Sequence, residues 1–344
     1  MENNSHIPEE TGPSFFSNSY PISGNTLKIL ANLFMLIDHV AAVVLKRIYL
    51  ARYNEVMASG DTLARANWFS ENETLFYTIQ IMRNLGRISF PIFAFLLVEG
   101  FQKTSNRSNY AKRLGLFCLI SEIPFDLAFS GSFFALKRQN VFFTLLIGFL
   151  CIWSFHIIRE KTFPKIVRLL GNITGLLALP AFLTYKLKYS PLDAIKKLEI
   201  PFTDFSYLWI FLIMVLLMTV PILLRKKTEY MPDENFYLYM SVLPVFMMLA
   251  SVMKTDYGAY GVLAIVLMYT FRRNKMISYA AGTAILSAMA SIEAYAFLGL
   301  IPISQYTGKC GRNRKYLFYP LYPLHFIFLW LIAYFMGYGW MSTI

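Results

Sequence analysis

The sequence predicts an all-α polytopic membrane protein: about ten transmembrane helices in one bundle around a central cavity. Three observations carry that reading. Of 344 residues, 56% are hydrophobic and only 15% charged, whereas a soluble domain carries about 25% charge. The apolar residues collect in about ten runs, each near the ~20 residues that cross a hydrocarbon core. Ionisable side chains recur inside several of these runs at helical spacing, and at bilayer depth each costs about 2.5–3.5 kcal/mol unless it faces protein or water.

The runs lie near residues 27–46, 75–102, 110–130, 140–158, 166–185, 205–224, 236–253, 257–271, 276–300 and 316–338. The first reads "LKILANLFMLIDHVAAVVLKRIY". At about 100° per residue, Lys28, Asn32, His39 and Lys46 fall within about 40° of one another, with Lys28 and His39 about 16 Å apart along the axis. Such a stripe belongs on the bundle interior. Asp38 points about 80° away, so its expected partners are arginines of the next run rather than His39. That second run, "QIMRNLGRISFPIFAFLLVEGF", sets Gln80, Arg83, Asn84 and Arg87 at i, i+3, i+4 and i+7. Two guanidiniums one turn apart need an anion. Asp38, Glu99, Glu122 or Asp126 can supply it as a structural pair, or a phosphate-bearing ligand can, held with Lys28 or Lys46.

In the third run, "SEIPFDLAF" puts Glu122 and Asp126 one turn apart with Pro124 loosening the backbone between them. Charge pairing with the arginines is expected there ahead of acid–base work. The central stretch 150–250, with the fifth to seventh runs, is generic, and His156 beside Arg159 reads as interfacial. In the eighth, "DYGAYGVL" sets Asp256 and Tyr260 on one face while Gly258 and Gly261 permit close helix approach. Glu293 stands inside the ninth run and needs a partner that no local pattern names. The last run opens "KYLFYPLYPLHFIFLWL", where Tyr322 and His325 are i, i+3 and can share a site, and Pro320 and Pro323 bend the entry. A satisfied structural histidine is the plainer reading of His325.

Residues 26–344 read as a single transmembrane domain and 1–25 as a mobile N-terminal tail without a basic start and apolar core of the signal-peptide kind. The longest connections are expected at 46–74, 186–204 and 301–315, all on one side of the membrane. No internal period is visible. The net charge of +12 resides in short clusters between runs, such as "IREKTFPK" and "FRRNK", as in loops that face anionic membrane lipid, and no recognition fold accompanies it, so nucleic acid is not expected as a partner. Lys and Arg divide evenly between the two sides. The shorter, denser clusters lie on the side of the termini, which places both termini in the cytoplasm of a multi-pass inner-membrane protein. Cys118, Cys151 and Cys310 have no paired or metal-ligand spacing, so no disulfide and no metal are expected. The 16 methionines read as core filler.

The chain has no phosphate-cradling glycine loop with lysine, no paired-histidine zinc helix, no nucleophile elbow and no dinucleotide fingerprint. Chemistry, if any, must come from histidine and carboxylates in the bundle. The blocks "LKILANLFMLIDH", "RNLGRISFPIFAFLLVEGF", "YAKRLGLFCLISEIPFDLAF", "NVFFTLLIG", "DYGAYGVL" and "YTGKCGRNRKYLFYPLYPLHFIFL" together resemble the TraX family of membrane acetyltransferases, whose namesake acetylates the N-terminal amine of pilin in conjugative bacteria. That family is similar in turn to ten-helix acyl-CoA-dependent membrane acyltransferases, which mark their first helix with a basic residue, ten positions and a histidine, the spacing of Lys28 and His39. The sequence departs from the family pattern at "TGKCG", where an arginine is expected in place of Cys310, in the long connections 46–74 and 186–204, and in the tail.

The resemblance implies acetyl-CoA as acyl donor, His39 as the central catalytic residue, and Arg83 and Arg87 as groups of the donor and acceptor channel; on the residues' own pattern Asp38 is counted beside His39 as a catalytic candidate, and Lys28 and Asn32 join the two arginines as donor-binding candidates. Glu99, Glu122, Asp126, Asp256, Tyr322 and His325 are left as acceptor-binding or supporting residues. An imidazole with a pKa near 6.5 can deprotonate an acceptor at neutral pH or carry the acetyl group itself. The acceptor is a pilin-like peptide amine by family analogy or a hydroxyl of an envelope glycan by the wider class. A proton-coupled transporter would use the same buried groups, and a non-catalytic scaffold would not need two aligned polar stripes.

Overall fold

The computed structural model describes residues 21–189, 193–196, 202–224, 235–311 and 315–343. The described chain is helical with isolated bridges in place of strands. By length and composition, four helical runs among the described residues can cross a membrane: Gly24–Ser59, Thr62–Lys103, Val141–Glu160 and Lys165–Tyr189. Shorter apolar helices cover Asp204–Thr219, Phe236–Val252, Gly258–Thr270, Ser291–Ser304 and Pro320–Phe335.

Helix α1 (Gly24–His39) starts where Ser23 accepts a hydrogen bond from the amide of Thr26 at 3.2 Å. The chain just before it is tied down. Backbone amides of Ile22, Gly24 and Asn25 donate to the carbonyls of Gln305, Lys309 and Cys310, so the tail expected over 1–25 gives way to ordered chain by residue 22, while residues 1–20 lie outside the described residues. Directly after His39 the helix widens into a π-helical segment, Val40–Leu45, and continues as α2 (Lys46–Ser59). Gly60, at φ 74°, ends α2, and Asp61 caps α3 (Thr62–Gly86).

The connection expected over 46–74 is therefore helical. Its polar residues keep a helix register outside the bilayer-like part of the fold, which residue-by-residue hydropathy cannot distinguish from a loop. The second run is not one straight helix. It breaks at Arg87–Ile88, and α4 (Ser89–Lys103) begins with Pro91 in its first turn, where the missing amide hydrogen costs least.

Helices α5 (Arg107–Ser130), α6 (Val141–Glu160), α7 (Lys165–Tyr189), the short α8 (Asp193–Lys196) and α9 (Asp204–Leu224) follow. Then come α10 (Phe236–Val252), α11 (Gly258–Thr270) and α12 (Lys275–Met289). Phe101, Phe149, Ile152, Met247, Ile265 and Met268 from α4, α6, α10 and α11 form the dry centre. In α7 the "GNITG" step brings Gly175 against the Tyr237 carbonyl of α10 so closely that a Cβ would collide with it, the small-residue contact by which membrane helices approach.

The ninth run is not a continuous span either. After Met289 the backbone extends at Ala290 and re-enters as a 3-10 stretch, Ser291–Gly299, followed by α13 (Leu300–Ser304). The break turns Glu293 onto Arg87, and the buried ion pair outweighs an unbroken helix. Of the connection expected over 186–204, residues 190–192 and 197–201 lie outside the described residues.

Helix α14 (Lys315–Phe335) packs on α5 and the π-helical segment. Val43, Phe125, Phe129, Tyr322 and Phe326 make a second aromatic core there. The C-terminal strand of chain closes over it. Arg47, fully buried, donates to the carbonyls of Val43, Leu127 and Met341, and Lys46 donates to the Thr343 carbonyl at 2.6 Å.

Candidate functional site

A cavity of about 260 Å³ opens between α1, α3, α4, α5, α6, α14 and the turn before α11. Its polar lining is Lys28, Asn32, Asp38, His39, Arg83, Arg87, Ser89, Arg138, Asp256, Tyr257 and Tyr322, and Met35, Phe90, Phe93, Phe125, Phe129 and Phe142 supply much of the apolar wall. Lys28, Asn32 and His39 of the first stripe and Arg83 and Arg87 of the second thus meet on one space, whereas Gln80 is exposed and neither it nor Asn84 lines the cavity. Lys46 does not follow them. A π-helix takes more residues per turn than an α-helix, so the 100° register that aligns Lys28, Asn32 and His39 fails beyond residue 40, and Lys46 turns to Thr343.

Asp38 is the hub of the charged part. Its Oδ2 accepts from Arg83 Nη1 at 2.6 Å and its Oδ1 from Arg87 Nη2 at 2.6 Å. Arg87 Nη1 donates in turn to Glu293 Oε1 at 3.0 Å, and Arg87 Nε donates to the Arg83 carbonyl at 3.1 Å, across the break between α3 and α4. Two carboxylates therefore balance two guanidiniums in one chain of contacts, which the burial of Asp38 and Glu293 demands, while Arg83 and Arg87 are partly buried. Gly86 makes the hub fit. A Cβ there would lie inside the Asp38 side chain, so only glycine lets α3 approach α1 at this level.

Asp38 also stands nearer to His39 than helix geometry predicts. His39 Nε2 lies 3.8 Å from Asp38 Oδ2, too far for a hydrogen bond but close enough for direct electrostatic contact. The other ring nitrogen is engaged. His39 Nδ1 and His325 Nε2 are hydrogen-bonded at 2.7 Å, the rings nearly parallel at 7°. Phe129 and Phe326 flank the His39 ring, with centroids 5.7 and 4.7 Å away. His325 is thus a partner of His39 rather than an isolated structural histidine, and Tyr322 stands against its ring at 5.5 Å.

At the far wall Arg138 pairs with Asp256. That carboxylate holds the guanidinium of Arg138, in the connection before α6, above its usual pKa. Tyr257, next in sequence, adopts a left-handed backbone at φ 63° and stacks on Phe90 at 3.8 Å. A non-glycine residue held in that region is costly and is retained where its side chain is needed. Neither Arg138 nor Tyr257 has a local sequence signal.

Three candidates stand elsewhere. Glu122 accepts from the backbone amide and side-chain amide of Asn140, at 3.2 and 2.5 Å, and Asp126 accepts from the Ala135 amide at 2.7 Å. Both hold the α5–α6 connection in place of pairing with Arg83 or Arg87, because Pro124 and the turn of α5 aim them at that connection. Glu99 pairs with Lys103 at 2.5 Å and accepts from the Tyr306 hydroxyl at 3.2 Å, outside the cavity lining. Asn32 donates to the Lys28 carbonyl at 2.7 Å and presents its remaining surface to the cavity. Among the described residues no group of three His, Cys, Asp or Glu can hold a metal ion.

The segment from the first cap through α7 carries Lys28, Asp38, His39, Arg83 and Arg87 in one frame, and the comparison with protein families falls on that same segment. Residues 23–190 match the TraX family, described as TraX protein. The chain is also 35% identical over 80 residues, 21% of its own length, to the probable fimbrial assembly protein FimC, serogroup H1, of Dichelobacter nodosus, and spans 33% of that protein. No solved structure matches. The TraX-matching segment supplies most of the cavity lining; Asp256, Tyr257 and Tyr322, which complete the lining, and Glu293 and His325, which bond Arg87 and His39 from behind it, lie beyond that segment.

Proposed function

We propose that this chain is an integral membrane acetyltransferase that moves the acetyl group of acetyl-CoA to an amine, with the N-terminus of a pilin-like peptide as acceptor. One observation carries the reading: His39 lines the same cavity as Lys28 and two arginines already fixed by Asp38 and Glu293. The match to TraX and the likeness to a fimbrial assembly protein support a pilin-related acceptor.

The fit is partial in size and good in charge. About 260 Å³ is at the low end for a ligand pocket, enough for an acetyl group and a narrow thiol arm but not for a whole nucleotide. Lys28, half-buried near the start of α1, is placed to meet phosphate oxygens at the mouth. The thioester supplies an acyl carbon already activated towards nucleophiles. His39 takes a proton from the acceptor nitrogen as that nitrogen bonds the acetyl carbon; the carbon–sulfur bond breaks, and His39 returns the proton to the departing sulfur. Asp38, 3.8 Å from Nε2, favours the imidazolium formed in between. The aromatic walls exclude water, which would otherwise hydrolyse the donor.

His39→Ala abolishes acetyl transfer to a pilin-like peptide while the purified protein keeps its melting behaviour; undiminished turnover by that variant overturns the role. The same charged network resembles a proton relay. Thermal stabilisation by acetyl-CoA but not by acetate separates the enzyme from a proton-coupled transporter. Acetylation of an envelope glycan rather than a peptide would show as a 42-dalton difference in the glycan fraction of a deletion strain.

A further inference from the structure

A backbone carbonyl can only accept, and that fact propagates through two rings. His325 Nδ1 lies 3.0 Å from the Leu321 carbonyl oxygen one turn earlier in α14, so Nδ1 must carry the hydrogen. A neutral imidazole has one donor and one acceptor. His325 Nε2 is then the acceptor, and its partner at 2.7 Å, His39 Nδ1, is the donor. His39 in turn is left with its lone pair on Nε2, the nitrogen beside Asp38. The alternative, a charged His325 donating from both nitrogens, would bury a cation among Tyr322 and Phe326 at 6% exposure. The ion pairs among the described residues bring no carboxylate to it, and a buried charge without one is strongly disfavoured.

We infer that His325 is a positioning residue: through the Leu321 carbonyl it fixes His39 in the Nδ1–H tautomer and leaves Nε2 as the only basic atom of that ring facing the cavity. His39 lines the cavity and His325 does not, so the arrangement puts the protonated edge into the wall and the basic edge towards the space. The widening of the helix at Val40–Leu45 and the packing of Phe326 against both rings hold the two rings nearly parallel. The role of a base in transfer rests on the function proposed above; the tautomer does not.

The chain has four histidines, His6, His39, His156 and His325, so a protein labelled with 15N-histidine gives a spectrum that H39Q and H325Q variants can assign. In the native protein both His39 and His325 should show hydrogen on Nδ1 and a bare Nε2. H325A should let His39 populate both tautomers, whereas H325Q, whose side-chain carbonyl can still accept from Nδ1, should restore the native His39 signals. In the transfer assay H325A should lower kcat by about 10- to 100-fold, the usual effect of losing such a supporting partner, with KM for acetyl-CoA unchanged and H325Q recovering most of the loss. Hydrogen on His39 Nε2 in the native protein, or a His39 spectrum indifferent to H325A, overturns the assignment. The native tautomers as stated, in a protein that transfers no acetyl group to any amine, overturn the enzymatic reading and leave the assignment standing.

Discussion

Asp38 holds the buried charge together, and its removal has a calculable sign. With the carboxylate gone, Arg83 and Arg87 face each other with only Glu293 to balance both, and breaking a buried pair from one side costs about 3–5 kcal/mol. Asp38→Ala should therefore lower the unfolding free energy in detergent by about that amount. Glu99→Gln is the control. Its pair with Lys103 is half exposed, where such pairs contribute about 0–1 kcal/mol, so melting temperature and stabilisation by acetyl-CoA should stay close to native. The local spacing of Lys28, Asn32 and His39 was enough to place them on one cavity, because α1 is a regular helix as far as His39. His325 and Glu293 were opaque. Their partners lie 286 and 206 residues away, and nothing in a neighbouring residue type encodes a contact of that range.

At the scale of elements, the departures from regular helix are what build the site. The π-helical segment follows His39 directly, the α3–α4 break falls at Arg87, and the extended residue Ala290 precedes Glu293. Each frees a side chain from the register of its own helix. Hydropathy and periodicity assume that register, so the runs are legible from sequence while Lys46, beyond the π-helical segment, leaves the stripe it is expected to share; Glu122 and Asp126 stand in the unbroken α5 and meet Asn140 and Ala135 instead of the arginines, a choice of partner that periodicity does not encode. Gly86 tests the closest contact between elements. Replacing a glycine in helical backbone, such as the last residue of α3, by alanine ordinarily stabilises by up to about 1 kcal/mol. Here the added Cβ would occupy the space of the Asp38 side chain, and overpacking of that kind costs about 1–3 kcal/mol. Gly86→Ala should thus destabilise, and should weaken stabilisation by acetyl-CoA as Asp38 is pushed off the arginines. A more stable protein with native ligand response would mean that α1 and α3 do not meet as described.

The whole molecule is organised about a helical hairpin longer than a bilayer is thick. Gly24–Ser59 runs 36 residues and Thr62–Lys103 runs 42, about 54 and 63 Å at 1.5 Å per residue, against a hydrocarbon core of about 30 Å. Both ends of the hairpin return to one place: the Gly24 amide donates to the Lys309 carbonyl, and Lys103 Nζ donates to the Gly308 carbonyl. The tip near Gly60 then projects from the opposite end of the hairpin, beyond Lys46 and the C-terminal segment that Lys46 and Arg47 hold, so the connections 46–74 and 301–315 lie at opposite ends rather than on the one side that loop counting expects. Native cysteines report this geometry, since Cys118 and Cys151 are buried and Cys310 is exposed at the base of the hairpin. A membrane-impermeant thiol reagent should label Cys310 from one side of sealed vesicles only. In an Ala58→Cys variant on a Cys310→Ser background, the label should arrive from the other side only. Entry of a cytoplasmic donor past Lys28 requires that the Cys310 side be the cytoplasmic one, so Cys310 should react in inside-out vesicles and resist in right-side-out ones. Labelling of both positions from one face would mean that the hairpin does not cross, and labelling of Cys310 from outside would turn the mouth of the cavity away from the acetyl-CoA pool.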